Sequence, residues 1–253
     1  MSNAFRDGIL AGRHAFITGG TSGIGMEVAR RLRQAGAYVS VLGRSQEKIE
    51  AAIISIGDGS RGFRADVRQY EAVSDALAQA RTEFGEIDVL ICGAAGNFPA
   101  PALGMSANGF KAVIDIDVLG TFNTCRAGFD HLRKPGACVL NISAGQAFRA
   151  MPLQSHVCAA KAGVDMLTRT LAIEWGPLGV RVNSVTPGAV DGTEGVRRLV
   201  PDEKARETLL SHIPLRRMAT KGDVADLCLF MCSDAATYIT GAVVVCDGGL
   251  SLA

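Results

Sequence analysis

The sequence has almost no net charge, no C-x-x-C pair and no long apolar run, and each absence removes a class of protein. With 26 Lys and Arg against 25 Asp and Glu, the formal charge is +1. That leaves no basic footprint for nucleic acid. No apolar stretch reaches the roughly 18 residues of a membrane-spanning helix, so no membrane insertion is expected. Residues 1–7 lack the basic-then-apolar pattern of a leader. The ending Ser251-Leu252-Ala253 is not the Ser-Lys-Leu peroxisomal address, so a cytoplasmic protein is expected. The 7 cysteines sit mostly in apolar stretches and read as buried free thiols. Cys228 and Cys232 fall one helical turn apart, but neither a second Cys pair nor a His set completes a zinc site. No metal is expected.

What remains is a chain of 253 residues, 48% hydrophobic and 20% charged, long enough to bury one large core. Strand-like runs are expected at 14–18, 38–42, 62–65, 89–92, 137–142, 181–186 and 242–245. Helix-like stretches separate them, as where Val73, Leu77, Ala80 and Phe84 recur at helical spacing. This alternation predicts an α/β fold, a doubly wound parallel sheet with helices on both faces. Residues 1–253 read as a single domain. The charged segment 190–214 interrupts the rhythm and reads as a lid-like insertion.

Between the first strand and first helix stands Thr18-Gly19-Gly20-Thr21-Ser22-Gly23-Ile24-Gly25. Glycines there allow a tight turn and close approach of backbone N–H groups to a pyrophosphate, and the helix start adds partial positive charge. An acidic residue after the second strand would favour a free ribose hydroxyl, but the chain has Arg44. A guanidinium suits a 2′-phosphate, so NADP(H) is expected.

The T-G-x-x-x-G-x-G spacing is the form of this loop in the short-chain dehydrogenase/reductase family, which the chain resembles from end to end. The resemblance implies a Rossmann-type fold. It also implies cofactor contacts from Gly19, Thr21, Ser22, Gly23, Ile24, Gly25, Asp66, Val67, Ala94, Ala95, Gly96, Lys161, Pro187, Gly188 and Val190. The family's catalytic set is Asn, Ser, Tyr and Lys, and three members are changed. Asp117 holds the Asn position, in the register Asp117-Val118-Leu119-Gly120-Thr121-Phe122. Ala144 holds the Ser position, with Ser143 one residue off. Val157 holds the Tyr position, and only Lys161 survives.

Carbonyl reduction leaves an alkoxide that needs a positioned acid, and Val157 offers none. Hydride addition to a conjugated thioester instead delocalises charge as a dienolate, which needs hydrogen-bond donors and a proton on carbon. The strings Gly93-Ala94-Ala95-Gly96-Asn97-Phe98, Asp115-Ile116-Asp117 and Gln154-Ser155-His156 resemble those of peroxisomal-type 2,4-dienoyl-CoA reductases. So does Pro187-Gly188 followed by Gly192-Thr193-Glu194-Gly195 and Arg198-Leu199. That resemblance implies NADPH-dependent reduction of 2,4-dienoyl-CoA to 3-enoyl-CoA, as in the oxidation of unsaturated fatty acids. Lys161 and Asp117 would act through a water.

An acyl-CoA substrate would meet some of Asn97, Phe98, Phe148, Arg149, His156 and Asp247. Each also has a plain structural reading as core, turn or solvated face. Arg197 and Arg198 are open between CoA phosphates and a solvated face, and Asp115 reads as structural. The family implies a homotetramer, which apolar Phe122, Phe129, Val164, Met166 and Leu167 would suit. Two alternatives stay open: a reductase of another enoyl or carbonyl substrate, and an inert NADPH-binding protein.

Overall fold

Among the described residues, seven strands form one sheet: β1 (His14–Thr18), β2 (Tyr38–Gly43), β3 (Ser60–Arg64), β4 (Val89–Cys92), β5 (Cys138–Ile142), β6 (Arg181–Pro187) and β7 (Val243–Cys246). Their order is β3-β2-β1-β4-β5-β6-β7, and every neighbouring pair is parallel. This computed structural model describes residues 5–252. Residues 1–4 and 253, parts of the termini read for targeting signals, lie outside the described residues.

Parallel strands covered on both faces read as continuous apolar runs, and β1 and β4 are buried throughout. Alternation along them divides the core in two. Ile17 and Ile91 pack with α1 (Gly23–Gln34), α2 (Gln46–Ile56) and α9 (Lys221–Cys232). Phe16 and Leu90 pack with α3 (Tyr70–Phe84), α5 (Gly120–Gly128) and α6 (Ser155–Trp175). The strand order reverses between β1 and β4, which opens a crevice at the strands' carboxyl ends.

β3 starts earlier than its apolar residues suggest. Ser60 and Arg61 pair with Val39 and Ser40 of β2, because at a sheet edge the backbone ladder does not require apolar side chains. The segment after β6 carries α7 (Glu194–Leu199) and α8 (Glu203–His212). Among the described residues, no helix is long and apolar enough to cross a membrane.

Two local features prepare the site. α4 (Ala107–Ile114) does not run directly into α5; a π-helical turn, Asp115–Leu119, lies between. Such insertions occur often at functional sites because they re-aim side chains. Here Asp115 turns outward to pair with Lys111, while Asp117 is buried. The inner face of α6 carries Val157, Ala160, Lys161, Val164, Asp165 and Thr168 at helical spacing. Val164 is therefore interior, and Phe129 and Leu167 pack partly against the core. The family resemblance had offered these positions, with Phe122 and Met166, as suited to a subunit contact; Val164 is taken up by the interior, while Phe129 and Leu167 are only partly covered. The π turn, α5 and α6 leave Leu119, Phe122, Met166 and Ile173 exposed.

Candidate active site

The crevice is a cleft of about 720 Å³ at the carboxyl ends of β1, β2, β4, β5 and β6. Its floor at β1 is the glycine turn. Gly19 has φ +72°, and a Cβ there would stand 2.7 Å from the Gly93 carbonyl carbon. A Cβ on Gly25 would stand 2.3 Å from the Gly19 oxygen. Only glycine lets the turn, the helix start and the β4 turn approach this closely. Ser22 caps α1 without a side-chain hydrogen bond, which leaves the first N–H groups of the helix for an anion. This cradle fits a dinucleotide pyrophosphate.

Thr21, Ser22, Gly23 and Ile24 line the cleft beside this cradle. At the end of β2 the cleft is lined by Arg44, Ser45 and Lys48. Lys48 was missed in the sequence; its signal is the Ser45 cap, which accepts the Lys48 N–H and turns that residue onto the first turn of α2. Asp66 and Val67 form the adjacent wall. The Arg68 guanidinium, hydrogen-bonded to Asp66 at 2.6 and 2.9 Å, holds that carboxyl below its usual range.

The deeper end collects Gly93, Ala94, Ala95, Gly96 and Asn97 after β4, Ser143 and Ala144 after β5, and Pro187 and Gly188 at the end of β6. Lys161 and Asp117 meet there. Lys161 Nζ lies 3.0 Å from Asp117 Oδ2 and donates to the Ile142 carbonyl at 3.0 Å. The Gly96 N–H donates to Asp117 Oδ1 at 2.7 Å. The side chains are 8% and 0% exposed, and a buried ammonium needs such a partner. Asp117 Oδ2 has the ammonium beside it but no well-aligned hydrogen bond, which leaves acceptor capacity on that oxygen. Val157 packs with Val113 and Ala160, so apolar contact replaces a phenol. The Ser143 hydroxyl is buried without a partner.

Of the expected substrate contacts, only Asn97 lines the cleft. Phe98 packs on His156 at a tilt of 47° with centroids 4.5 Å apart, and His156 is fully enclosed with neither ring nitrogen hydrogen-bonded among the described residues. Phe148 is exposed outside the cleft wall. Arg149 donates to the Leu250 carbonyl at 2.7 Å. Asp247 accepts the Gly249 and Ser251 N–H groups, each at 2.8 Å. Burial alone would raise its carboxyl, but these bonds outweigh burial and hold it low. It closes its own turn. Val190 is buried and bridges to Ala219 rather than lining the cleft. Backbone partners draw Arg149, Asp247 and Val190 away from the cleft, and ring packing holds Phe98 and His156 behind its wall. Arg198 does line the cleft, whereas Arg197 does not.

A family model described as Enoyl-(Acyl carrier protein) reductase matches residues 19–251. The chain belongs to the short-chain dehydrogenase/reductase family. Its members are oxidoreductases that use nicotinamide cofactors. The chain is 41% identical to the peroxisomal 2,4-dienoyl-CoA reductase [(3E)-enoyl-CoA-producing] of Saccharomyces cerevisiae, over 98% of this chain and 87% of that one. It is 43% identical to the Rattus norvegicus enzyme of the same kind, over 95% and 84%. A probable 2,4-dienoyl-CoA reductase [(2E)-enoyl-CoA-producing] of Bacillus subtilis is 41% identical, over 92% and 94%. Among solved structures, a short-chain dehydrogenase from Bacillus anthracis superposes with a TM-score of 0.87 at 35% identity, covering 96% of this chain and 98% of that one.

Proposed function

We propose that this protein reduces 2,4-dienoyl-CoA thioesters to 3-enoyl-CoA with NADPH. The observation that carries the reading is the buried Lys161–Asp117 pair, at a site where Val157 offers no phenol. Named relatives at about 40% identity support the same substrate class. NADPH held in the cleft would supply the hydride, for the distal carbon of the diene. Negative charge then spreads to the thioester oxygen as a dienolate, and Lys161 lowers its cost by proximity. Lys161 would also hold the nicotinamide ribose. Asp117, through the remaining acceptor capacity of Oδ2, would orient a water beside Lys161; that water would give its proton to carbon while taking one back from the Lys161 ammonium, which solvent then restores. Protonation next to the thioester makes the 3-enoyl product.

Arg44, with Lys48 one helical turn on, supports NADPH over NADH. Residues 190–214 act as a lid over the site, a reading supported by Thr193, Glu194, Gly195 and Arg198 in the cleft wall. Exposed Leu119, Phe122, Met166 and Ile173 support a homotetramer, and seven unpaired cysteines support a cytoplasmic setting. The test follows NADPH absorbance with 2,4-dienoyl-CoA of several lengths and identifies the product. No turnover at any length sinks the reading. Turnover on another enoyl or carbonyl substrate, or cofactor binding without turnover, would favour the two alternatives. A 2-enoyl product would move the protonated carbon.

A further inference from the structure

Within the string Thr193–Arg198, a chain of contacts runs from Glu194 through Arg198 to the Asn97 carbonyl. The Thr193 hydroxyl caps α7 and donates to the Val190 carbonyl at 2.7 Å. Glu194 accepts Arg197 at 2.8 Å and Arg198 Nε at 3.0 Å. The other edge of the Arg198 guanidinium crosses the cleft mouth and donates to the Asn97 carbonyl. Asn97 directly follows Gly96, whose N–H donates to Asp117 Oδ1 at 2.7 Å. Arg198 and Asp117 thus hold the same two-residue stretch of the β4 turn, one at the Asn97 carbonyl and the other at the Gly96 N–H.

We propose that Arg198 is a positioning residue: seated by Glu194, it fixes the Gly96–Asn97 turn and through it the Asp117 carboxylate. The inference rests on the proposed role of Asp117 and Lys161 in delivering the proton. It means that the pair is set for proton delivery only when α7 is docked over the cleft. An arginine suits the task because its planar fork serves Glu194 with one edge and Asn97 with the other. A lysine has a single nitrogen and lacks the fixed planar fork that spans two partners on opposite edges. Arg197 shares Glu194 but lies outside the cleft wall, so it is the natural control.

The experiment compares Arg198→Ala, Arg198→Lys and Arg197→Ala with the wild type. The first readout is hydrogen exchange of the Gly96 amide in the protein without cofactor, which needs no turnover. Arg198→Ala should speed it, and Arg197→Ala should not. The second is kinetic. Arg198→Ala should lower kcat about 10- to 100-fold, the scale expected when a reacting group is misplaced, and raise the solvent deuterium isotope effect as proton delivery slows. The NADPH dissociation constant should stay within about threefold, well short of that loss. Arg198→Lys should fall between, and Arg197→Ala should keep the wild-type kcat.

Unchanged Gly96 exchange in Arg198→Ala overturns the proposal. So does a wild-type kcat, or a kcat loss matched by an equal loss of NADPH affinity, which would mean that the contact merely closes the cofactor cleft. If the wild type reduces no dienoyl-CoA, the functional reading fails first and this inference with it. If the wild type is active and Arg198→Ala is unaffected, only this inference fails.

Discussion

Asp117→Asn removes the charge opposite Lys161 while keeping an acceptor for the Gly96 N–H. At 3.0 Å and an effective dielectric near 20, the gross attraction is 332/(20 × 3.0), about 5.5 kcal/mol. Losing one member of a buried pair costs about 3–5 kcal/mol, since the remaining ammonium is uncompensated. At about 2–4 °C per kcal/mol for a chain of this size, Tm should drop by about 10 °C. Asparagine is the better probe than alanine because it keeps the turn's hydrogen bond and the volume. Adding Lys161→Met removes the stranded charge. The double variant should therefore regain about 1–3 kcal/mol relative to the sum of the single losses, as read by urea unfolding. Turnover should behave differently. Either single change should lower kcat at least about 100-fold, and the double variant should recover none of it. Stability losses that simply add would refute the pairing energetics. A wild-type kcat in Asp117→Asn would refute the proton-delivery role.

Arg44→Ala should weaken NADPH about 10- to 100-fold, the worth of a charge-assisted hydrogen bond, and leave NADH nearly unchanged; equal losses in calorimetric titrations would contradict the phosphate contact. Asp223 is held down to about 2, chiefly by the Arg217 guanidinium. A lowered folded value means that its stabilisation is present above the ordinary 3.8 and is lost as pH falls through about 2. The pair is well exposed to solvent, so Asp223→Asn should cost only about 1 kcal/mol at neutral pH, a deficit that fades by about pH 2 in urea titrations. Val157→Tyr should destabilise by about 1–3 kcal/mol through overpacking against Val113 and Ala160. It should confer no carbonyl reduction, since Ala144 offers no hydroxyl; a gain of ketone reductase activity would show that one residue alone sets the chemistry.

The strands were legible because buried parallel strands are apolar along their length; 14–18 and 89–92 match β1 and β4. Edge strands such as β3 were less so, because pairing there admits Ser60 and Arg61. The phosphate turn was legible because only glycines tolerate its contacts. Some apolar and charged residues had two destinations open in the sequence, and packing chose between them. Val164 served the core, not a subunit surface, and Arg149 and Asp247 served the carboxyl-terminal turn.

By itself the sequence determined the alternation of strands and helices, the cofactor turn, Arg44 at the end of β2 and the loss of tyrosine before Lys161. Each is a property of neighbouring residues, written in local spacing and side-chain chemistry. Only the tertiary structure decided that Asp117 and Lys161 meet at 3.0 Å, that Gly96 holds the carboxylate, and that Arg198 reaches Asn97 across the cleft. Those partners lie far apart in the chain. What brings them together is the crossover of β5 and α6 over the sheet and the π turn before α5, which no local pattern encodes.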